Sequence, residues 1–571
     1  MSVTTMLTGM LPFVVLAAAL LALPVSIGLL NRYRRSVQRG MSAVAGSSAP
    51  VERTTARSAP AASLRIQVLD PSSPDARASA EPALLAVALQ RPWRAAAIYA
   101  IGGVAYAGVM TAGWLGSTGD RAVGWNKLLL LSWTYLWPAA IVVSLVAAYD
   151  LRRRLQVFGL YFAVLVAVIA VTVARNPEST ALQLALYWII VNGPATVLAF
   201  AFLLRPIRAV GPLVLAFMLL VALGSQALLS LAGANESLLR AIVEVGFSLG
   251  LGGRAVFIGM IALGVAAGAL LAWPLLRALG RGYERRRFSD QALLINALWL
   301  EFGIVQSISL AFGGALWVFT GLAAFAAFIA TKRLLLSPLA RLHAEAEPRR
   351  LLLLRVFALG ARSRRVFDRL LTHWPYIGNI TMIAGPDLVT TTVEPNEFME
   401  FVSGRLSRQF VSDSNDLRAR LARADKGPDP DGRCRVQEFF CRHDTWQMTI
   451  ERLAAETDAV LMDLRSFTAH NAGCVFELGR LLNAVELRRI VILVDDTTEV
   501  AFLEKTVERL WRDLESGSPN QSLEAPRLKV FRANSFAERE LHSLLAALLQ
   551  GPAKGAVRSG VQLKQAGAAA G

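Results

Sequence analysis

Nine stretches of about 20 apolar residues follow one another through the first 335 positions, the helix length needed to cross about 30 Å of hydrocarbon. They lie near 7–30, 95–116, 128–148, 156–174, 181–204, 210–232, 256–276, 292–312 and 314–331. A backbone in lipid must satisfy its own hydrogen bonds, so residues 1–335 are expected to form an all-α polytopic membrane region. Composition agrees. Hydrophobic residues make up 54% of the 571, charged residues 18%, and mean hydropathy is +0.46. A soluble globular chain carries about 25% charged residues, and disorder needs low hydrophobicity, so neither class fits the whole. Three cysteines cannot frame a disulfide scaffold.

Charge gives the expected orientation. No Lys or Arg precedes the first apolar run, whereas Arg32, Arg34, Arg35 and Arg39 follow it. That pattern predicts an uncleaved anchor with its N-terminus outside. Alternating the loops from there places 20 positive residues inside, among them Arg152-Arg153-Arg154 and Arg285-Arg286-Arg287, against 5 outside. The outside group is Arg121, Lys127, Arg175, Arg240 and Arg254. The expected location is therefore a bacterial cytoplasmic (inner) membrane, multi-pass, with everything after Lys332-Arg333 in the cytoplasm. Much of the net charge of +17 is juxtamembrane arginine, so the expected partner is a bilayer with anionic headgroups, not nucleic acid. Residues 40–92 read as a flexible cytoplasmic loop in which only Leu64–Leu69 resembles a short strand. Glu236–Leu251 reads as an interfacial segment on the outer side, and 551–571 as a disordered tail.

Glu301 falls mid-span in the eighth run, near Asn296, Gln306, Ser307 and Ser309. An ionisable group at that depth marks a functional site by default. Two roles stand open: a relay in a transporter, or one protonated or hydrogen-bonded carboxyl locking the helix to its neighbours. Five residues separate Glu301 from Gln306, about 140° around a helix, so they do not form one polar stripe. Asn192-Gly-Pro194 predicts a kink in the fifth run.

From Leu351 the periodicity changes. Short apolar runs without alternation, each followed by an amphipathic helix, predict a parallel sheet covered on both faces. Residues 350–550 are thus expected to form a doubly wound α/β domain. Its expected helices include Asn396–Phe410 and Thr445–Glu456, with Asp444 and Gln447 as a capping box. Ser412–Gly432 reads as a protease-sensitive polar loop. Ligands in such sheets sit beyond the carboxyl ends of the strands, where Asp387, Asp463, Ser466 and Asp495 are expected. The first turn, Leu359–Arg365, is neither a GxGxxG nor a Walker loop, although Arg362 at a helix N-terminus could hold a phosphate. Cys434, Cys441 and Cys474 show no metal-ligand spacing, and no metal is expected. In Asp458–Leu482 a strand and a Ser/Thr/Asn-rich loop lead into a helix with Cys474 and Glu477 one turn apart. If Asn471 caps it, Glu477 projects from the second turn near the sheet's rim. A carboxylate there could stabilise an oxocarbenium-like ribose or act as nucleophile; it could equally be a solvated surface residue.

This segment resembles TIR domains, through Cys474-Val-Phe-Glu477-Leu478, and is similar to nucleoside 2-deoxyribosyltransferases, through Gly473 to Gly479. The resemblance implies a flavodoxin/TIR-like fold and cleavage of an N-glycosidic bond in NAD or another nucleotide. Glu477 would serve the chemistry, Asp463 and Asp495 would orient hydroxyls, and a homo-oligomer would be the active form. In TIR domains the Glu helix follows the third strand; here it follows the fourth. The run from Leu354 through Ile383–Leu388, Asp429–Arg433, Phe439–Trp446 and Val460–Arg465 looks like a family of uncharacterised bacterial polytopic membrane proteins and implies no activity. Two functions are carried forward. One is a membrane protein with a cytoplasmic nucleotide-recognition domain for signalling, sensing or NAD glycohydrolysis. The other is a transporter or channel whose cytoplasmic domain regulates it.

Overall fold

A computed structural model describes residues 3–42, 60, 62–69, 82–120, 124–148, 150–203, 210–343, 348–355, 361–384, 393–424, 427–533 and 537–550; within these, the side chains of 3–13, 82–84, 87, 315, 338–343, 361–365 and 396 are left aside. The chain divides into two compact units. The first comprises Met1–Tyr33, Arg94–Pro338 and Val393–Gly404, the second Arg34–Trp93, Leu339–Thr392 and Arg405–Gly571.

The first unit is helical. Its elements are α1 (Val3–Ser42), α2 (Pro82–Thr118), α3 (Trp125–Tyr135), α4 (Trp137–Val146), α5 (Leu151–Arg175), α6 (Ala181–Phe202), α7 (Gly211–Ala234), α8 (Glu236–Ser248), α9 (Gly253–Glu284), α10 (Asp290–Ile308) and α11 (Thr320–His343). The last residues of α1 and the first of α2 belong to the second unit. Among the described residues, eight helices are long and apolar enough to cross a membrane, and α3 with α4 makes a ninth candidate, bent by 41°. Large side chains on their outer faces are bare, Leu270 at 76% and Leu160 at 69%, as suits a membrane protein, whose lipid side gains nothing by hiding apolar surface.

The bend in the third span has a local cause. Pro138 has no N–H to give the carbonyl of Thr134 four residues earlier. The Asn192 side-chain amide donates to that oxygen instead, at 3.1 Å. Where α7 meets α9, the backbones touch: a Cβ built on Gly264 would lie 2.5 Å from Ser225 Cα, and one on Gly268 2.4 Å from Leu220 O. Gly264-Val-Ala-Ala-Gly268 is a small-xxx-small face, which lets membrane helices pack by van der Waals contact.

The second unit holds one seven-stranded sheet, all its pairings parallel. The strands are β1 (Arg65–Leu69), β2 (Arg349–Arg355), β3 (Gly378–Ile383), β4 (Val436–Phe439), β5 (Ala459–Asp463), β6 (Ile490–Val494) and β7 (Arg527–Arg532), in the order β1-β7-β6-β5-β2-β3-β4. The expected strand Leu64–Leu69 is thus no part of a free loop. It docks beside β7, with Arg65 opposite Arg527 and Leu69 opposite Phe531, and Trp511 Nε1 donates to Ala62 O at 2.9 Å.

The helices that follow are α12 (Ala361–His373), α13 (Pro395–Val402), α14 (Ser414–Arg423), α15 (Trp446–Glu456), α16 (Ala472–Ala484), α17 (Val500–Arg512) and α18 (Glu538–Leu548), all in the second unit except α13, which belongs to the first. Strand residues alternate between two cores. Leu352, Leu354, Val460 and Met462 face α15, α16 and α17, whereas Leu351, Leu353, Leu461 and Leu493 face α12 and α18. Burial on both faces is why the strands read as unbroken apolar runs.

Three local expectations are corrected. The helix foreseen over Asn396–Phe410 stops at Val402, because Gly404 takes φ +73° and its N–H closes on Phe401 O; α13 then packs in the first unit, where Tyr33 meets Phe401 edge-on and Tyr283 donates to Glu394. Ser412–Gly432 is not merely a polar loop. It contains α14, capped by Asp413, and it buries Asp429 against Arg435 with two hydrogen bonds of 2.9 Å. Asp444 does not cap α15: the N-cap is Thr445, and Asp444 Oδ1 is buried without a hydrogen-bond partner.

Candidate functional site at the switch of the sheet

Counting from β2, the sheet reads third, second, first, fourth, fifth, sixth, with β1 added at the far edge. The direction of winding reverses between β2 and β5. From β2 the chain passes to α12 on one face, and from β5 to α16 on the other. A crevice at the carboxyl ends of two such strands is where doubly wound sheets bind ligands.

Asp463 ends β5 there. Arg355 ends β2 as its register partner and is buried. Glu477 lies in the second turn of α16, only 4% exposed, and its Oε2 has no hydrogen-bond partner. Burial pushes this carboxyl up to about 8, while the positive charge of Arg355 pulls against the rise. The Cys474 thiol is pushed up to about 12 by burial, then by Glu477 and Asp463, so it stays protonated and is no nucleophile at neutral pH. Cys474 and Glu477 lie one turn apart on α16, and Arg355 and Asp463 are register partners at the ends of β2 and β5. Asp463 is gripped by Arg465, through Nε at 2.8 Å and Nη2 at 2.7 Å.

The flanking loop is pinned across the rim. Ser466, with φ +57°, donates its N–H to Thr497 Oγ1 at 3.1 Å, and Thr497 donates to Asp495 Oδ1 through both its N–H and its hydroxyl. A non-glycine residue in that conformation is strained, and such strain gathers at functional sites. Asn471 occupies the N-cap position of α16, but its side chain accepts from Thr468, which leaves the helix N-terminus without a side-chain cap.

Of the residues singled out in the sequence, Cys474 and Glu477 share the first two turns of α16, Asp463 ends β5, and Ser466 and Asp495 are joined to each other through Thr497. Arg362 falls in the first turn of α12, its side chain outside the described atoms, and Asp387 lies outside the described residues. Arg355 and Arg465 went unforeseen. Arg355 ends a strand as an isolated charge after four leucines, a signal that could have been used. No cluster of metal-ligating side chains occurs among the described residues, and the three cysteines are unbridged. Cavities of about 600 and 660 Å3 lie by Leu151–Gln156 and by Leu85, Ala537, Glu538, Arg539 and His542. The first is a shallow open groove on one helix, and neither is lined by these rim residues.

In the first unit, Glu301 is buried and its Oε1 has no hydrogen-bond partner. The helix lock runs through Gln306 instead. It accepts from Tyr106 at 2.7 Å and donates to Asn192 at 2.9 Å. Lys332, expected as a cytoplasmic flank, is buried and donates to Asn296 at 2.5 Å, with Phe328 and Tyr99 around its ammonium. No family model, curated protein or solved structure matches the chain.

Proposed function

We propose that the second unit is a membrane-tethered nucleotide-recognition module in which Glu477 faces the ribose and its N-glycosidic bond. The observation that supports this reading is the buried, hydrogen-bond-free Oε2 of Glu477 on the helix that follows β5, the strand at the switch of the sheet. A buried carboxyl that has no protein partner is costly to keep, and an incoming cationic or electron-deficient sugar would repay the cost as the bond breaks. The resemblance to TIR domains fits this placement. In the flavodoxin-type order, 2-1-3-4-5, the third strand neighbours the first. Here the extra β4 unit sits at the outer edge, so the fourth strand takes that place beside the first, with Glu477 on the helix after it. The six C-terminal strands follow the order of dinucleotide-binding sheets.

The first unit is read as an anchor in a bacterial inner membrane, with the N-terminus outside and the α/β unit in the cytoplasm. Loop charge supports this, and so does parity. β1 and β2 share one sheet and must lie on one side, so the chain between them crosses an even number of times. Eight candidate spans separate them if α3 and α4 count as one crossing. The rival reading, a transporter, has Glu301 in its favour, but the Gln306–Asn192 contacts are those of helix fastening.

The test uses full-length protein in nanodiscs with NAD, following binding by calorimetry and nicotinamide release by chromatography. Release that Glu477→Gln abolishes supports a glycohydrolase, and binding without release supports a sensor. Absence of binding to NAD and to adenine nucleotides overturns the reading.

A further inference from the structure

Gln306, Asn192 and Tyr106 already fasten α10 to its neighbours, which leaves Glu301 with no part in the lock. It stands near the middle of α10, a candidate membrane span, at 7% exposure. Its Oε1 is buried, and no hydrogen bond or ion pair to Glu301 occurs among the described residues. Asn296 and Gln306 lie five residues to either side, each about 140° away around the helix. Leu294, Leu298 and Val305 lie within about 60° of it, and the two leucines are buried. Among the described residues, the elements packed against α10 bring no charge to that side. α4, α7 and the turns Ser309–Gly313 and Ala315–Phe319 carry no titratable side chain, and α6 carries only Tyr187, whose hydroxyl meets that of Tyr135. Tyr106 of α2 and Lys332 of α11 are engaged by Gln306 and Asn296, and Tyr99 lies beside the Lys332 ammonium. The other charges of these helices, Arg91 and Arg94 of α2, Asp290 of α10, and Arg333, Arg341 and His343 of α11, fall in the outer turns of their spans or beyond them.

A buried polar group with no partner is costly, and leucine would fill the same place without that cost, so the carboxyl calls for a ligand. A hard metal ion needs a shell of oxygens, and the side of α10 that carries Glu301 offers leucine and valine. A proton needs no shell, because it neutralises the carboxyl itself. We propose that Glu301 is a proton-binding site of the first unit, taking one proton from water and returning it while Gln306 and Asn192 keep the helices fastened. On release the O–H bond breaks, its electron pair stays on the carboxylate, and the proton passes to a water that reaches the side chain. An ionisable group at mid-span, buried in protein and not in lipid, is the device by which membrane proteins handle protons. This role goes beyond the anchoring read above and does not depend on nucleotide recognition.

The experiment is infrared difference spectroscopy of the full-length protein in nanodiscs as water is replaced by heavy water, reading the protonated-carboxyl band that Glu301→Gln removes. That band is expected to shift while the backbone amides of the spans are still protected, which marks a proton in exchange with solvent. Dicyclohexylcarbodiimide, which attacks protonated carboxyls in apolar surroundings, is expected to modify Glu301, mapped by mass spectrometry, and to abolish the same band. This second arm uses wild-type protein alone, so the band is assigned even if Glu301→Gln does not fold. A band that shifts only as the span amides exchange, or never, overturns the proposal, because the proton is then a fixed part of the fold. Absence of both the band and the modification overturns it too. Neither arm contains a nucleotide, so either reading can fail while the other stands.

Discussion

Glu477 bears on stability as well as chemistry. In the unfolded chain a glutamate ionises near 4.5, whereas in the fold this one holds its proton to about 8. Between those values the folded state binds the extra proton, so the stability this group contributes is whole below about 4.5 and falls as pH rises through 8. The loss is on the order of 4 kcal/mol over that window. Glu477→Gln should flatten the decline and melt later than wild type at pH 8.5, in thermal scans of the protein in nanodiscs between pH 4.5 and 8.5. A parallel decline in both proteins would contradict the assignment. Glu477 was legible in the sequence because a helix after a parallel strand puts its early turns at the rim whatever the strand order. Arg355 was not, because only the pairing of β2 with β5 sets it beside Asp463, and strand order is a tertiary property.

Single elements show the same division. The apolar runs announced the long apolar helices because crossing a bilayer demands length and composition together, and both are local. The close α7–α9 contact was missed, although Gly264 and Gly268 stand in plain spacing; a hydropathy reading is blind to residues chosen for their absence of bulk. Gly268→Leu should force these backbones apart at about 1–3 kcal/mol, seen as a lower detergent melting temperature, while Leu270→Ala on the bare face should change little. β1 was recognised as a strand but assigned to a loop, since five residues say nothing about a partner at Arg527–Arg532. Its Leu69 packs in the core with Phe531 and Leu541. Leu69→Ala should therefore cost about 2–4 kcal/mol, and hydrogen exchange should quicken in β7; unchanged β7 protection would place β1 off the sheet.

For the molecule as a whole, the sheet and the membrane helices constrain one another. In the proposed topology, a strand between the first two candidate spans joins the C-terminal strands only if both ends of the chain between them emerge on one side, so the proposal requires the bent α3–α4 pair to cross fully. Single cysteines at Val68, Thr118, Arg152 and Glu524, with the three native cysteines replaced, test this with an impermeant maleimide in intact cells. Thr118 should label, and the other three only after lysis. Labelling that separates Val68 from Glu524 would break the shared sheet, and Arg152 labelling with Thr118 would make α3–α4 re-entrant.

The central claim, that this rim is where a nucleotide docks, is tested most directly by photoaffinity labelling. Full-length protein in nanodiscs would be irradiated with an azido-adenine analogue of NAD, and the modified peptides would be mapped by mass spectrometry. The account predicts label on peptides spanning Asp463–Glu477 and Asp495–Thr498, competed away by unmodified NAD. Label confined to the cavity at Leu85, Ala537 and His542, or label that NAD does not displace, would contradict it.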